Sequence, residues 1–268
     1  MSLRVLGVIP ARWGSTRFPG KPLALLAGRP MVEHVWRRAK QSKILTRLLV
    51  ATEDQRIVRA VRAFGGEAVM TPATCASGTD RLAVVARRER CDVVVNIQGD
   101  EPFVNPRDLD ALVKPFLTER GLRMTTLSAP FPPEELHNPA RVKVVCDRAG
   151  NALYFSRSAI PFIRDPRPAG RRSDPYRLHL GFYAYRRDLL LQIARWSPTP
   201  LEKMEQLEQL RVLEHGVAIR VVAVARGTLA VDTPADLKLA ERRLGASRVR
   251  GRRLGASRAR GRRLAGHK

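Results

Sequence analysis

The run DVVVNIQ at residues 92–98 has three consecutive valines, an isoleucine and no alternating polar face. A strand that is apolar on both sides must be covered on both, which is the habit of parallel sheets flanked by helices. Around it the chain alternates strand-type and helix-type stretches. LRVLGVI (3–9), RLLVAT (47–52) and EAVMT (67–71) read as strands. PMVEHVWRRAKQS (30–42), DQRIVRAVRAFGG (54–66) and SGTDRLAVVARRE (77–89) carry apolar residues at helical spacing. Pro30 suits a first helical turn, Asp54 an N-cap and Gly65 a helix stop. This rhythm predicts an α/β fold, a Rossmann-like and mostly parallel sheet with helices on both faces.

From about Leu122 the rhythm changes. RMTTLSAPF (123–131) and RVKVVCDRAGNALYFSR (141–157) read as strands, the second stretch folding back through a turn at Asp147 to Asn151. A Pro- and Arg-rich loop (161–177) follows, then the strand HLGFYAYR (179–186). PLEKMEQLEQLRVLEHG (200–216) reads as one amphipathic helix with Met204, Leu207, Leu210 and Leu213 in the core. On that pattern alone Glu208 and Gln209 belong to its solvated face. The strand AIRVVAVA (218–225) and the helix TPADLKLAERRL (233–244) complete the body. The expected organisation is one domain over residues 1–244. Its sheet-forming part is mainly 1–121 and 217–244, and a smaller α+β substrate lobe is inserted at about 122–216.

The C-terminus repeats itself as RRLGASRVRG, RRLGASRARG and a truncated RRLAGHK. Two glycines per unit and dense like charge predict a basic tail over 245–268 without a fold of its own. From Arg242 to Lys268 there are 11 cations and no acids, so the other 38 Lys and Arg against 25 acids leave +13 on residues 1–241. A moderately basic body suits polyanionic small molecules; nucleic acid would also explain it, so the charge alone does not decide. Apolar runs such as AIRVVAVA fall far short of a membrane span, so no membrane insertion is expected. Three scattered cysteines and the lack of signal-peptide features point to the cytoplasm.

After the first strand comes VIPARWGSTRFPGKP (8–22). It is not a P-loop: Gly14 and Gly20 enclose five residues, and Pro22 stands where Ser or Thr would bind metal. It is a basic, Gly-containing loop at the carboxyl end of a parallel strand, where such sheets bind ligands. Arg12, Arg17 and Lys21 can neutralise a triphosphate, while Ser15 and Thr16 add donors. NIQGDEPF places Asp100 and Glu101 after the buried strand, and LAVDTPADL places Asp232 after another. Two strand-end aspartates can converge on one magnesium, although Asp232 could equally cap the following helix.

With these segments in view, the chain resembles the 3-deoxy-manno-octulosonate (Kdo) cytidylyltransferases of the sugar nucleotidyltransferase family. The resemblance runs from Val5 to about Leu244 through IPARWGSTRFPGKPL, SGTDRLA, VNIQGDEPF, ALYFSRSAIPF, HLGFYAYR, TPLEKMEQLEQLR and VDTPADL. The first segment marks the wider superfamily; the fourth to sixth, in order, are particular to the Kdo enzymes. The tail lies outside the pattern.

The resemblance implies a nucleotide-diphospho-sugar transferase type of fold and a homodimer made through the inserted lobe. It implies a magnesium-dependent transfer of CMP from CTP to Kdo, serving lipopolysaccharide assembly. Arg12, Ser15, Arg17 and Lys21 are then expected on the CTP phosphates, with Ala11 also nucleotide-binding and Asp100 and Asp232 as metal ligands. Arg12, Lys21, Asp100 and Asp232 form the catalytic group. Ser77, Gly78 and Arg81 are expected at the cytosine and ribose, with Gln98 between nucleotide and sugar. Arg157, His179, Tyr183, Tyr185, Glu208 and Gln209 are expected around Kdo. The alternatives are the same reaction on a related acidic sugar, such as 8-amino-Kdo, and nucleic-acid binding through the tail.

Overall fold

The computed structural model describes residues 3–14, 18–165 and 175–245. Strands β1 (Val5–Pro10), β4 (Arg47–Thr52), β5 (Ala68–Met70) and β6 (Val93–Asn96) form the parallel part of the sheet. Between β1 and β4 lies a small pair, β2 (Leu25–Leu26) and β3 (Arg29–Pro30). The second half of the chain adds β7 (Met124–Pro130), β8 (Lys143–Cys146), β9 (Ala152–Ser156), β10 (Arg177–Arg186) and β11 (Ile219–Ala223). The main sheet has the order β11-β7-β10-β6-β1-β4-β5. Only β10 is reversed along this path, pairing antiparallel with both β6 and β7. The segment expected as an inserted lobe therefore contributes β7 and β10 to the main sheet, and the β8–β9 hairpin branches from β10.

The apolar runs owe their continuity to cover on both faces. In β1, Val5 and Ile9 pack on one side and Leu6 and Val8 on the other; in β6, Val93 and Val95 oppose Val94. Helices α1 (Met31–Ala39), α2 (Gln55–Ala63) and α4 (Pro106–Val113) cover the first side, with the short α5 (Pro115–Thr118) behind α4. The second side is covered by α3 (Gly78–Arg88), α6 (Arg187–Ile193) and α8 (Glu208–Glu214). Residues 234–245 form the last helix, α9, and the expected unfolded tail beyond it lies outside the described residues.

Helix starts follow the sequence signals. The Asp54 carboxylate accepts from the Arg56 N–H at 2.8 Å and caps α2; Asn105 caps α4, with Pro106 in its first turn. Ser77 and Asp80 close a capping box on α3. Gly65, at φ 82°, ends α2 in a conformation open to glycine.

One expectation fails. The stretch 200–216 is not one helix but two, α7 (Pro200–Glu205) and α8, broken at Gln206. Gln206 takes the left-handed conformation (φ 53°, ψ 49°) and caps α7 through its N–H to the Glu202 carbonyl. Leu207 then turns into the core with Leu210, Leu213 is half-buried, and Met204 is left 77% exposed. The break is held by Arg211 of α8, which donates to the Glu202 carboxylate of α7.

Replacing Asp54 by Ala removes both the α2 cap and the partner of Arg56. Urea denaturation is expected to show a loss of about 1 kcal/mol with an unchanged slope.

Candidate active site

Three chain segments meet at the carboxyl ends of the parallel strands. The first leaves β1 through Ala11, whose N–H still donates to the Ala51 carbonyl at 2.9 Å. It returns through Gly20, at φ 70°, whose N–H donates to the Trp13 carbonyl at 3.1 Å. Lys21 follows, and its ammonium lies 2.7 Å from Asp100 Oδ2 and 3.2 Å from Asp232 Oδ1. Ser15 and Arg17 lie outside the described residues.

Asp100 comes from the second segment, after β6. It is brought close by Gly99, where a Cβ would lie 2.7 Å from the Pro10 carbonyl oxygen. Asp232 comes from the third segment, where the Val231 N–H donates to the Asp100 carbonyl at 2.9 Å. The cap of α9 is Thr233, which exchanges hydrogen bonds with Asp236. That leaves the Asp232 carboxylate facing Lys21, and the capping alternative does not hold. Two carboxylates sharing one cation are a hard-oxygen set suited to a divalent cation together with phosphate oxygens. Behind them Glu101 turns inward, and burial pushes its carboxyl up to about 7, against the pull of Thr228 and Arg141.

A cavity of about 420 Å³ opens here, lined by Ala11, Arg12, Lys21, Asp100 and Asp232 at one end. Ser77, Gly78 and Arg81 from the start of α3 line the other end. The Ser77 hydroxyl accepts from the Asp80 N–H at 3.2 Å in its capping box. Arg81 is buried, with Nη2 at 2.7 Å from Glu53 Oε2 and Nη1 donating to the Thr71 hydroxyl.

A second cavity of about 300 Å³ adjoins it across a shared wall of Gly78, Gln98 and Glu208. The Gln98 amide is fixed by donating to the Gly181 carbonyl at 2.7 Å, beside the register shift in β10. Tyr183, Tyr185 and Gln209 line this cavity as well. Glu208 heads α8 because of the break at Gln206, and its carboxylate accepts from the Thr79 hydroxyl at 2.6 Å. Gln209 is buried rather than solvated. Burial raises the phenol pKa of both tyrosines.

Two expected sugar contacts lie elsewhere. His179 is buried behind Tyr183, edge-on to Phe155, and lines neither cavity. The Thr126 hydroxyl donates to the Phe182 carbonyl, so it accepts from His179 Nε2 at 2.9 Å. The Arg157 guanidinium donates to the Glu205, Gln206 and Pro139 carbonyls and likewise lines neither cavity. Arg157 thereby braces the break in 200–216, and His179 backs Tyr183. Conversely, sequence reasoning missed Thr79, Asn96 and Arg211, which line the second cavity. A polar Asn inside the buried run DVVVNI was the available signal for Asn96.

The sequence profile of the cytidylyltransferase family matches residues 6–219. The chain belongs to the cytidylyltransferase family. Among its relatives in that family, the 3-deoxy-manno-octulosonate cytidylyltransferase of Myxococcus xanthus is 50% identical over 246 residues, covering 91% of this chain and 98% of that protein. The namesake from Syntrophobacter fumaroxidans is 51% identical over 256 residues, covering 91% and 100%. The solved structure of CMP:2-keto-3-deoxy-manno-octonic acid synthetase complexed with CTP superposes with a TM-score of 0.85 at 41% identity, over 91% of this chain and 99% of that one. A glucose-1-phosphate thymidylyltransferase structure from Bacillus anthracis, at 18% identity and a TM-score of 0.62, shares the fold with this cytidylyltransferase.

A Gly99→Ala side chain collides with backbone, so the Asp100 end of the site must move. Activity is expected to fall about a hundredfold with unchanged circular dichroism. Burial pushes the His179 imidazole down to about 3. The stability of the neutral ring is therefore complete above the unfolded value near 6.5 and is lost as pH falls towards 3. Urea titrations of His179→Gln between pH 7 and 5 are expected to show a flatter loss than the parent, by up to about 1.4 kcal/mol per pH unit.

Proposed function

We propose that the protein transfers CMP from CTP to the anomeric hydroxyl of Kdo, giving CMP-Kdo and pyrophosphate. The observation that carries this reading is the junction of two cavities, one with cations and a carboxylate pair and one of mixed polar and apolar lining, across Gln98 and Glu208. A CTP-bound relative of the same fold and Kdo-enzyme relatives at about half identity support it.

In this reading Arg12 and Lys21, with Ser15 and Arg17, take the phosphates and stabilise charge building on departing pyrophosphate. The Ala11 backbone, Ser77, Gly78 and Arg81 orient the nucleoside. Asp100 and Asp232 hold magnesium. Bound there, magnesium would act as a Lewis acid on the α-phosphate and lower the pKa of the attacking hydroxyl. Gln98, Tyr183, Tyr185, Glu208 and Gln209 receive the sugar and align its hydroxyl in line with the leaving group. Arg157 and His179 support that cavity from outside it.

The product supplies lipopolysaccharide assembly from the cytoplasm. No helix among the described residues is long and apolar enough to cross a membrane. We assign residues 122–216 as the sugar-binding and dimerising part of a single domain. Leu153, Phe162 and Met204, which are 62%, 86% and 77% exposed, give this part apolar surface for a second copy.

Protein incubated with CTP, magnesium and Kdo is expected to release pyrophosphate, and N-acetylneuraminate should not substitute. Asp100→Asn and Asp232→Asn are expected to cut turnover on the order of a thousandfold or more while leaving the melting curve in place. A fully active Asp232→Asn would remove that residue from the metal site. Turnover with 8-amino-Kdo but not Kdo would reassign the substrate.

A further inference from the structure

Glu53 lines neither cavity, yet it joins the two sides of the nucleotide cavity. It follows β4, one residue before the Asp54 cap. Its Oε1 accepts from the Trp13 N–H at 2.8 Å, and its Oε2 lies 2.7 Å from Arg81 Nη2. One carboxylate thus holds the loop after β1 and the guanidinium at the start of α3.

Trp13 is the anchor of that loop. The Arg56 guanidinium lies 3.4 Å above its ring, and the ring underlies Gly20, where a Cβ would come within 3.0 Å of it. The Trp13 carbonyl also accepts from the Gly20 N–H. Arg12 adjoins Trp13 and Lys21 adjoins Gly20, so the fixed pair sets where two cavity cations project. On the other side, Arg81 is only 5% exposed and its second arm is held by the neutral Thr71 hydroxyl. A buried guanidinium without its counter-charge is strongly disfavoured. Removing Glu53 therefore releases Arg81 and the loop together.

We infer that Glu53 is a positioning residue for the nucleotide: it sets CTP affinity by fixing the loop anchored at Trp13 against Arg81, without touching CTP. This rests on the reading of the larger cavity as the CTP site. Sugar affinity stays nearly independent of it, because neither Trp13 nor Arg81 lines the second cavity, and Thr79 there is tied to Glu208 instead.

The test compares the parent with Glu53→Ala, Glu53→Gln and, as a control, Glu67→Gln. Glu67 pairs with the exposed Arg47 away from the cavity. CTP binding is measured by calorimetry without sugar, and kcat and both KM values by pyrophosphate release. Glu53→Ala is expected to weaken CTP binding about 10- to 100-fold, with kcat at saturating CTP and the Kdo KM within about threefold of the parent. Glu53→Gln keeps an acceptor for the Trp13 N–H but not the charge facing Arg81, so a loss of about 3- to 10-fold is expected. Glu67→Gln should bind CTP as the parent does.

A folded Glu53→Ala with parental CTP affinity would overturn the inference. So would equal losses in kcat or in the Kdo KM, or a lowered melting temperature as the sole effect. If Glu53→Ala does not fold, Glu53→Gln decides: weaker CTP binding upholds the inference and parental binding ends it. A parent protein that fails to bind CTP would instead strike the CTP reading itself. One that binds CTP but does not use Kdo would strike the substrate assignment and leave the binding comparison intact.

Discussion

A single ammonium, that of Lys21, lies between two carboxylates supplied by segments far apart in the chain. Asp100 ends β6 and Asp232 precedes α9, and without a cation between them their repulsion would open the carboxyl edge of the sheet. The backbone bond from the Val231 N–H to the Asp100 carbonyl brings the same two segments together. Loop, strand end and final helix are thus mutually fixed. The trio carries one net negative charge, which suits it to a dication, while the arginines of the loop suit the phosphates that would come with it.

The second half-site depends on a different device. An unbroken helix over 200–216 would carry Glu208 and Gln209 around its axis with the rest of the pattern. Left-handed Gln206 ends one helix and lets the next begin at Glu208. The Glu202–Arg211 pair and the Arg157 bonds to the Glu205 and Gln206 carbonyls hold that break in place. Apolar Leu207 and Leu210 beneath it contribute the burial that the left-handed turn needs.

Much of this was legible in the sequence. Both-face apolar runs dictated a covered sheet, and Asp54 and Gly65 marked the two ends of α2 through local chemistry that depends on few distant residues. The loop cations and the two aspartates were legible because ligand sites collect at carboxyl ends of parallel strands. What escaped was non-local. A helix break at a non-glycine residue leaves no composition signal, and periodicity continues across it. His179 and Arg157 are polar residues whose partners are the Thr126 hydroxyl and backbone carbonyls, invisible to any motif. Glu53 carries no signal in the sequence, because Trp13 and Arg81 lie 40 and 28 positions away.

The reversed strand β10 has a consequence for how this chain can be divided. It pairs with β6 on one side and β7 on the other, so the strand that carries Tyr183 and Tyr185 also closes the flank of the strand leading to Asp100. A fragment ending near residue 121 would leave β6, apolar on both faces, as a raw sheet edge open to any other chain. The two cavities therefore share one backbone ladder, and cutting the chain between them would break the sheet that builds both.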